Sequence, residues 1–353
     1  MRLIIFTLIV ALAAFDACAQ PEYIALRAQG RAEYIAGGFE EAEKLLRSAL
    51  QTAEAAKDDA AIAVTQNYLG DVYQDEERFE DAELAYARAL RLFQRTPRKV
   101  VDTAAALRNL ASAQSNDRRP GEALANLNRA VSLLEKVGID KPDLKAEILN
   151  SMAMAHFQRR DFKKAERLLL EAMQIRAVAG IAGNRADAQI ANNLASVYHL
   201  NGQYMKAEQW YTQSLEATAR LLGSSHPDLT LTLANLGQLY ADSGRYPEAI
   251  ATFRKSLDIL EVTKPTLDAR IIRVLRELGY SYRQLNDMGC AQATVGYAIE
   301  RARRSANPVL PDLIDDHASI LQAAGRQQEA LTESAEARQV RAEMRLRIQV
   351  QKH

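Results

Sequence analysis

The sequence contains very few cysteines and histidines, and each scarcity removes a class of protein. Only Cys18 and Cys290 stand in 353 residues, so the chain has neither a disulfide framework nor a paired Cys-x-x-Cys motif. Its five histidines are scattered singly and form no metal-binding set with acidic neighbours. Phosphate-binding loops, zinc-peptidase motifs and serine-hydrolase motifs are also missing. We therefore expect no enzymatic activity, no metal and no cofactor.

Charge of one sign is lacking as well. Lys+Arg 45 balance Asp+Glu 45, which gives a formal net charge of zero. A chain without a global field has no general attraction to nucleic acid or to anionic lipid. The composition, 48% hydrophobic and 25% charged, is that of an ordinary globular protein and not of a disordered one. We expect a protein or peptide partner and no nucleic acid.

The first residues differ from the rest of the chain. Arg2 precedes the apolar run Leu3–Phe15, and the small-x-small sequence Ala17-Cys18-Ala19 follows. This arrangement predicts a signal peptide over residues 1–19, too short to span a membrane, with cleavage after Ala19. It implies an exported protein, periplasmic or secreted. Lipid anchoring at Cys18 is the alternative, although the residues before it match such a site poorly.

Small residues and alanines recur along the rest of the chain with a nearly constant period. A glycine or alanine returns every 39 to 42 residues, and an alanine follows twelve positions after each. In most copies a larger side chain stands four positions after that alanine, and Ser334 is the exception. The small residues are Gly30, Gly70, Ala111, Ala153, Ala195, Gly237, Gly279 and Ala318, and the alanines are Ala42, Ala82, Ala123, Ala165, Ala207, Ala249, Ala291 and Ala330.

This period indicates pairs of helices that cross closely. Glycine in the middle of a helix costs about 1 kcal/mol relative to alanine, so Gly237 needs a packing reason. A small residue at a helix crossing lets the two backbones approach, and larger side chains fill the space beside it. Gly202 and Gly244 are suited to end the first helix of their pairs, and Pro247 to begin a second helix.

The pattern resembles the tetratricopeptide repeat in its long form of 42 residues, typical of kinesin light chains and of many bacterial proteins. The segment His226–Glu261 matches that form almost throughout. The resemblance implies an all-α fold, a right-handed α-solenoid superhelix of about eight helix-turn-helix repeats over residues 20–345. We expect repeats at about 22–56, 58–97, 98–138, 141–180, 183–223, 226–263, 265–306 and 308–345, with 346–353 as the tail of a capping helix.

In this family the first helix of each pair lines the concave side, where extended peptides or partner helices lie. The matching positions here are six and three before the small residue and one and four after it, together with asparagines two before it. The predicted groove residues are Asn67, Asp71, Asn109, Asn150, Asn192, Asn193, Ser196, His199, Asn235, Gln238, Arg273, Arg276, Tyr280 and Arg283. The same positions also hold Gln74, Arg108, Ser112, Ser115, Glu147, Met154 and Gln189.

A row of side-chain amides suits the binding of an extended backbone, because each amide both donates and accepts hydrogen bonds. Alternatively, the asparagines merely solvate an exposed face or bond neighbouring turns. Arg273, Arg276 and Arg283 form a second hypothesis, since three guanidinium groups on one face can pair with acidic side chains or a terminal carboxylate. The alternative is that they are surface arginines paired with Glu277 or Asp287.

The sequence thus predicts a non-catalytic scaffold that binds a peptide segment or partner helix in the groove. A structural or assembly protein is the alternative, whose outer ridges or Cys290 region pack against copies of itself or against an envelope complex. We expect Cys290 to be a small buried hydrophobic residue. The oligomeric state, and whether a terminal helix occupies the groove, stay open.

Overall fold

The computed structural model describes residues 21–96, 99–263 and 268–351. The predicted signal peptide with Cys18, the repeat boundaries at 97, 98 and 265, and the end of the predicted tail lie outside these residues. The described residues contain sixteen α-helices. In chain order these are α1 Glu22–Ala36, α2 Phe39–Ala55, α3 Asp59–Asp75, α4 Phe79–Arg95, α5 Val100–Asn116, α6 Pro120–Val137, α7 Pro142–Gln158, α8 Phe162–Val178, α9 Arg185–Leu200, α10 Tyr204–Leu222, α11 Leu229–Asp242, α12 Tyr246–Thr263, α13 Asp268–Gln284, α14 Met288–Arg304, α15 Leu310–Ala323 and α16 Gln327–Gln351.

The helices belong to two compact units, Met1–Lys164 and Ala165–His353. Unit one contains α1 to α7 and the start of α8, and unit two contains the rest of α8 and α9 to α16. Within each unit, an odd-numbered helix packs against the even-numbered helix that follows it, and successive pairs stack on one another. The predicted all-α fold of helix-turn-helix repeats is confirmed.

The small residues lie where the paired helices cross. A methyl group added to Gly70 would lie 2.5 Å from Cε1 of Tyr86, and one added to Gly237 would lie 2.6 Å from Cε1 of Phe253. Both rings stand sixteen positions after the glycine, as the repeat predicts. The alanines twelve positions after the small residues are buried in all eight copies. The glycines are therefore explained by packing, because any side chain there would collide with the second helix.

All eight turns within the pairs share one backbone conformation. The residue seven positions after the small residue has a positive φ in every copy: Gly37, Glu77, Arg118, Arg160, Gly202, Gly244, Asn286 and Gly325. The next residue donates its N–H to a carbonyl in the last turn of the first helix, as Arg78 does to Tyr73 at 2.8 Å and Arg245 does to Tyr240 at 2.8 Å. This is a Schellman ending, which satisfies carbonyls that a helix end leaves unpaired.

Carboxylates on the second helices join neighbouring repeats. Glu43 Oε1 accepts from the hydroxyl of Tyr73 at 3.1 Å, and its Oε2 accepts from Arg78 at 2.8 Å. Glu208 makes the equivalent contacts with Tyr240 at 2.9 Å and Arg245 at 2.7 Å. Glu166 accepts from Tyr198, and Glu83 accepts from Arg119 and Gln114. We call these four glutamates the repeat latch.

Unit two contains a buried arginine at a position that most other repeats fill with small or apolar side chains, copy eight with Arg341 being the exception. Arg176 is fully buried, and its guanidinium lies 2.8 Å from Asp187 Oδ1 and 2.6 Å from Asn184 Oδ1. It also donates to the carbonyl of Ile181 at 3.0 Å. Arg176 therefore holds the connection between α8 and α9 in one conformation. The corresponding residues Phe93 and Leu134 are buried in the core.

Candidate functional site

The predicted groove residues lie on one face of the first helices. We call the positions three and two before, and one and four after, the small residue of each repeat the polar stripe. Within each unit, some stripe residues contact the next repeat, as Arg108 does when it pairs with Glu147 at 2.8 Å in unit one. In unit two, Asn235 Nδ2 donates to Asn192 Oδ1 of the preceding repeat at 3.1 Å. The stripe is therefore a shared surface of neighbouring repeats within a unit.

The central part of the stripe in unit two is closed by its own hydrogen bonds. Asn192 and His199 are buried, whereas Asn193, Ser196, Asn235 and Gln238 are partly buried. His199 Nε2 lies 3.0 Å from Asp242 Oδ2, and Gln238 donates to the other oxygen of that carboxylate at 2.8 Å. Ser196 Oγ lies 3.0 Å from the hydroxyl of Tyr211. Asn192 and Asn235 therefore have the alternative role considered for the asparagines, because they hydrogen-bond to each other across neighbouring repeats.

The arginines of α13 extend the stripe toward the end of the chain. Arg276 donates to Asp316 Oδ2 at 2.6 Å, and Arg283 donates to Ser319 Oγ at 2.8 Å. Both contacts reach the next repeat, rather than Glu277 or Asp287 as the sequence suggested. Asp287 instead caps α14 by accepting the N–H of Cys290. Arg273 and Tyr280 are exposed, and the Tyr280 ring contacts Tyr246 edge-on at 6.4 Å.

Cys290 is not the fully buried residue that the sequence indicated. It is half-buried in the first turn of α14, beside the core of that repeat. The hydrogen bond with Asp287, together with burial, raises the pKa of its thiol. A raised pKa keeps the sulfur protonated at neutral pH, so Cys290 has no thiolate character.

In unit one the stripe runs over α3, α5 and α7. Asp71, Asn67, Asn109 and Asn150 are partly buried. Asp71 Oδ1 accepts from the hydroxyl of Tyr86 at 2.7 Å. Burial raises the pKa of the Asp71 carboxyl to about 6, although the bond from Tyr86 and the nearby Arg108 act in the opposite direction. The surroundings of Asp71 thus stabilise the ionised form of its carboxyl group poorly.

Four polar atoms of this part of the stripe are buried without a hydrogen-bond partner among the described residues. They are Asn67 Oδ1, Gln74 Oε1, Arg108 Nε and Ser115 Oγ. A second nitrogen of Arg108 still pairs with Glu147 at 2.8 Å. An unsatisfied buried donor or acceptor costs about 1–3 kcal/mol, so four in one place call for an explanation. They stand three before or four after the small residues of repeats two and three.

Sequence reasoning missed the repeat latch and the buried Arg176. The latch left a signal, because a glutamate stands thirteen positions after the small residue in four copies, and three of these four have a tyrosine, and three an arginine, at fixed places one repeat later. Gln114, which replaces the tyrosine in copy three, still donates to Glu83 at 3.2 Å. Arg176 left no comparable signal, since its partners follow it in a connection that matches no other copy.

The part of the chain that the structure describes contains neither a cluster of metal-ligating side chains nor a helix suited to cross a membrane. No three or more histidine, cysteine or acidic side chains come together there as metal ligands would. None of the helices described combines the length and apolarity needed to cross a membrane.

Known structures share the fold of this chain. BtubC (BKLC) from P. vanneervenii is similar over 65% of this chain and 92% of its own, with 23% identity and a TM-score of 0.55. The nearly identical TPR-like repeats of kinesin-light-chain type from P. anserina align over 58% of this chain and 98% of theirs, with 20% identity and a TM-score of 0.52. A Rap protein complexed with competence and sporulation factor aligns over 82% and 77%, with 18% identity and a TM-score of 0.63. No curated protein matches the chain.

The repeat period, the close helix crossings and the Schellman turns describe one structural unit that recurs along the chain. The family model of the tetratricopeptide repeat matches residues 22–95, 102–177 and 187–261, which is more than half of the sequence. Its three matched segments contain most of the helix pairs described above. The chain belongs to the tetratricopeptide repeat family.

Proposed function

We propose that this protein is a non-catalytic scaffold that binds a segment of another protein along the polar stripe. One observation carries the proposal: the stripe recurs at the same positions of successive first helices within each unit and consists mainly of amide, hydroxyl and charged groups. Side-chain amides and hydroxyls can hydrogen-bond the backbone of a peptide whatever its sequence. Repeat proteins present extended surfaces of this kind to their partners.

The structural neighbours agree with this proposal. One of them, a Rap protein, was determined in complex with competence and sporulation factor. Another Rap protein, a conjugation gene regulator, was determined with the Phr* peptide. At less than 25% identity these proteins share the fold alone, so they support a mode of binding and do not identify a partner.

The partner depends on where the protein acts. Export through residues 1–19 stays a prediction of the sequence, and it implies a partner in the periplasm or outside the cell. The experiment therefore starts from the envelope and the culture medium of the source organism.

The test compares affinity capture by two triple variants. The first, Asn150→Ala, Asn192→Ala and Asn235→Ala, removes amides from the stripe in both units. The second replaces exposed amides on second helices, with Asn128→Ala, Gln209→Ala and Gln328→Ala, and serves as the matched control. Equal helicity and equal thermal unfolding of both variants are required before the captures are compared.

We expect the stripe variant to lose specific partners that the unchanged protein and the control retain. If all three proteins capture the same partners, the stripe is not the binding surface. In that case the size of the protein in solution as a function of its concentration distinguishes the alternative role, self-assembly through outer ridges.

A further inference from the structure

The two units differ in how far their stripes satisfy themselves. In unit two the amides, His199 and the arginines bond to neighbouring side chains. In unit one four buried atoms of the stripe have no partner in the described part of the chain: Asn67 Oδ1, Gln74 Oε1, Arg108 Nε and Ser115 Oγ. The remaining buried atom of this kind, Asp228 Oδ2, lies outside the stripe and 2.6 Å from the Arg185 guanidinium. The stripe of unit one therefore has buried donors and acceptors that are free to bind a ligand, whereas those of unit two mostly bond to one another.

The unused groups of α3 are all oxygens. Asn67, Asp71 and Gln74 stand four and three residues apart, so their side chains lie on one face of the helix. Asn67 Oδ1 and Gln74 Oε1 lack a donor, and the Asp71 carboxylate between them accepts one hydrogen bond, from Tyr86. Three acceptors around one negative charge match the N–H groups of an ammonium or a guanidinium.

The cations near Asp71 are already engaged elsewhere. Arg108 pairs with Glu147 at 2.8 Å, and the Arg31 guanidinium lies over the ring of Tyr68, 5.6 Å from its centre. Neither lies within 4.0 Å of the Asp71 carboxylate as an ion pair would. On the same helix, Asp75 accepts from the hydroxyl of Tyr34 at 3.0 Å. Asp71 is left as a partly buried charge without a cation of its own, which is an unfavourable state that an incoming cation relieves.

We propose that α3 is the selective element of the polar stripe and that it binds a lysine or arginine side chain of the bound segment. The cationic group donates to the Asp71 carboxylate and to the amide oxygens of Asn67 and Gln74. Both amide oxygens are shielded from solvent, and a turn about the terminal side-chain bond, which is a soft torsion, presents them to the ligand. On α5, Arg108 Nε and Ser115 Oγ supply donors for carbonyl groups of the same segment. This inference rests on the proposed function.

The position of Asp71 also makes the binding depend on pH. The groups that face it are Tyr86 on α4, Arg31 on α1, Arg108 on α5 and Asp75 on its own helix. Burial raises the pKa of its carboxyl to about 6, and a cation binds only the ionised form. Affinity for a lysine-containing peptide should therefore fall about fourfold when the pH is lowered from about 7.5 to about 5.5.

The experiment uses a displayed library of random peptides and the full chain, immobilised, as bait. Asp71→Asn removes the charge and keeps an oxygen for Tyr86. Asp258→Asn is the matched control, because it removes an exposed carboxylate of the second helix α12, away from the stripe. We expect the unchanged protein and the control to select peptides with lysine or arginine at one aligned position, and Asp71→Asn to lose that preference.

A selected peptide then tests the contact directly. Replacing its basic residue by norleucine should weaken binding to the unchanged protein by at least about tenfold, and binding to Asp71→Asn by less than about twofold. Selected peptides without a basic position, or a basic preference that survives in Asp71→Asn, would overturn the inference and leave the proposed function standing. No selection by any form would overturn the proposed function and this inference with it.

Discussion

At the scale of single residues, this fold depends on the places where a side chain is missing. Gly70 and Gly237 lie in the middle of helices, against an aromatic ring of the second helix. In copies three to five and in copy eight alanine occupies the same position, so the permitted size varies by one methyl group from crossing to crossing. The ring opposite the glycine fills the volume that the methyl group would take.

Gly237→Ala should lower the free energy of unfolding by about 1–3 kcal/mol, because the added methyl group overpacks the crossing against Phe253. This holds although alanine is the better helix former. The matched control is Gly296→Ala in α14, where no heavy atom lies within 4 Å of the added methyl group. It should stabilise the chain by up to about 1 kcal/mol. Urea unfolding of both variants checks the pair, and equal effects would show that Phe253 does not limit the crossing.

At the scale of the helix pair, the turn is more uniform than the sequence suggests. All eight turns use a residue with positive φ, yet only four of them place glycine there. Glu77, Arg118 and Arg160 adopt φ values of 61°, 59° and 60°. The left-handed conformation costs about 1–2 kcal/mol for a residue with a side chain, so the packed helix pair imposes it on these three. Glycine in the sequence therefore marks only half of the turns in which the structure requires a positive φ.

Arg118→Gly and Arg160→Gly should each raise the free energy of unfolding by about 1 kcal/mol, because glycine adopts positive φ without a steric penalty. The opposite change in an equivalent turn, Gly244→Ala, should lower it by a similar amount. Thermal and urea unfolding measure both effects. A loss of stability in the two arginine variants would mean that their side chains matter more than the backbone strain.

At the scale of the whole molecule, the pH range of stability follows from groups that join repeats within each unit. Burial raises the pKa of the Glu43 carboxyl, but hydrogen bonds from Arg47 and Arg78 outweigh it, so the net pKa lies below its usual 4.5. Burial also raises the pKa of Tyr73 and Tyr198 to about 12, and their latch glutamates act in the same direction. The same contacts between repeats thus lose their stabilising effect at both acid and alkaline pH.

The contribution of these latch contacts to the free energy of unfolding, measured with urea, should be largest between about pH 5 and about pH 10 and should fall on both sides. Glu43 has a lowered pKa when folded, so its contribution is present above its unfolded value and is lost as the pH falls through the folded one. The tyrosines have a raised pKa when folded, so their contribution is complete below about pH 10 and is lost as the pH rises through about 12.

Single variants separate the two limits. Tyr198→Phe should make the alkaline decline less steep, and Tyr297→Phe, on the surface of α14, is the control that should leave it unchanged. Glu43→Gln should reduce the urea midpoint at neutral pH and make it less sensitive to acid. An alkaline decline identical in Tyr198→Phe and the unchanged protein would exclude the buried phenol as its cause.

The fold and the candidate site were predictable from the sequence to different degrees. Gly237, Ala249 and Phe253 lie within one helix pair, so their spacing alone indicated the crossing. The stripe positions followed from the same register, because residues at this spacing share one face of a helix. The partners of Arg276 and Arg283 did not follow, because Asp316 and Ser319 belong to the next repeat. Likewise, nothing local distinguishes Asn67, whose oxygen lacks a donor, from Asn192, whose oxygen accepts from Asn235.

The sequence by itself determined the helix pairs, their number and the residues at each crossing. Helix periodicity, close packing and turn chemistry act within about 40 residues, and each leaves a mark at a fixed spacing. Only the tertiary structure decided which polar groups of the stripe satisfy one another and which remain open, and which side chains must accept a left-handed backbone. These outcomes depend on how successive pairs stack, because stacking sets the distances between side chains that the local pattern places on the same face.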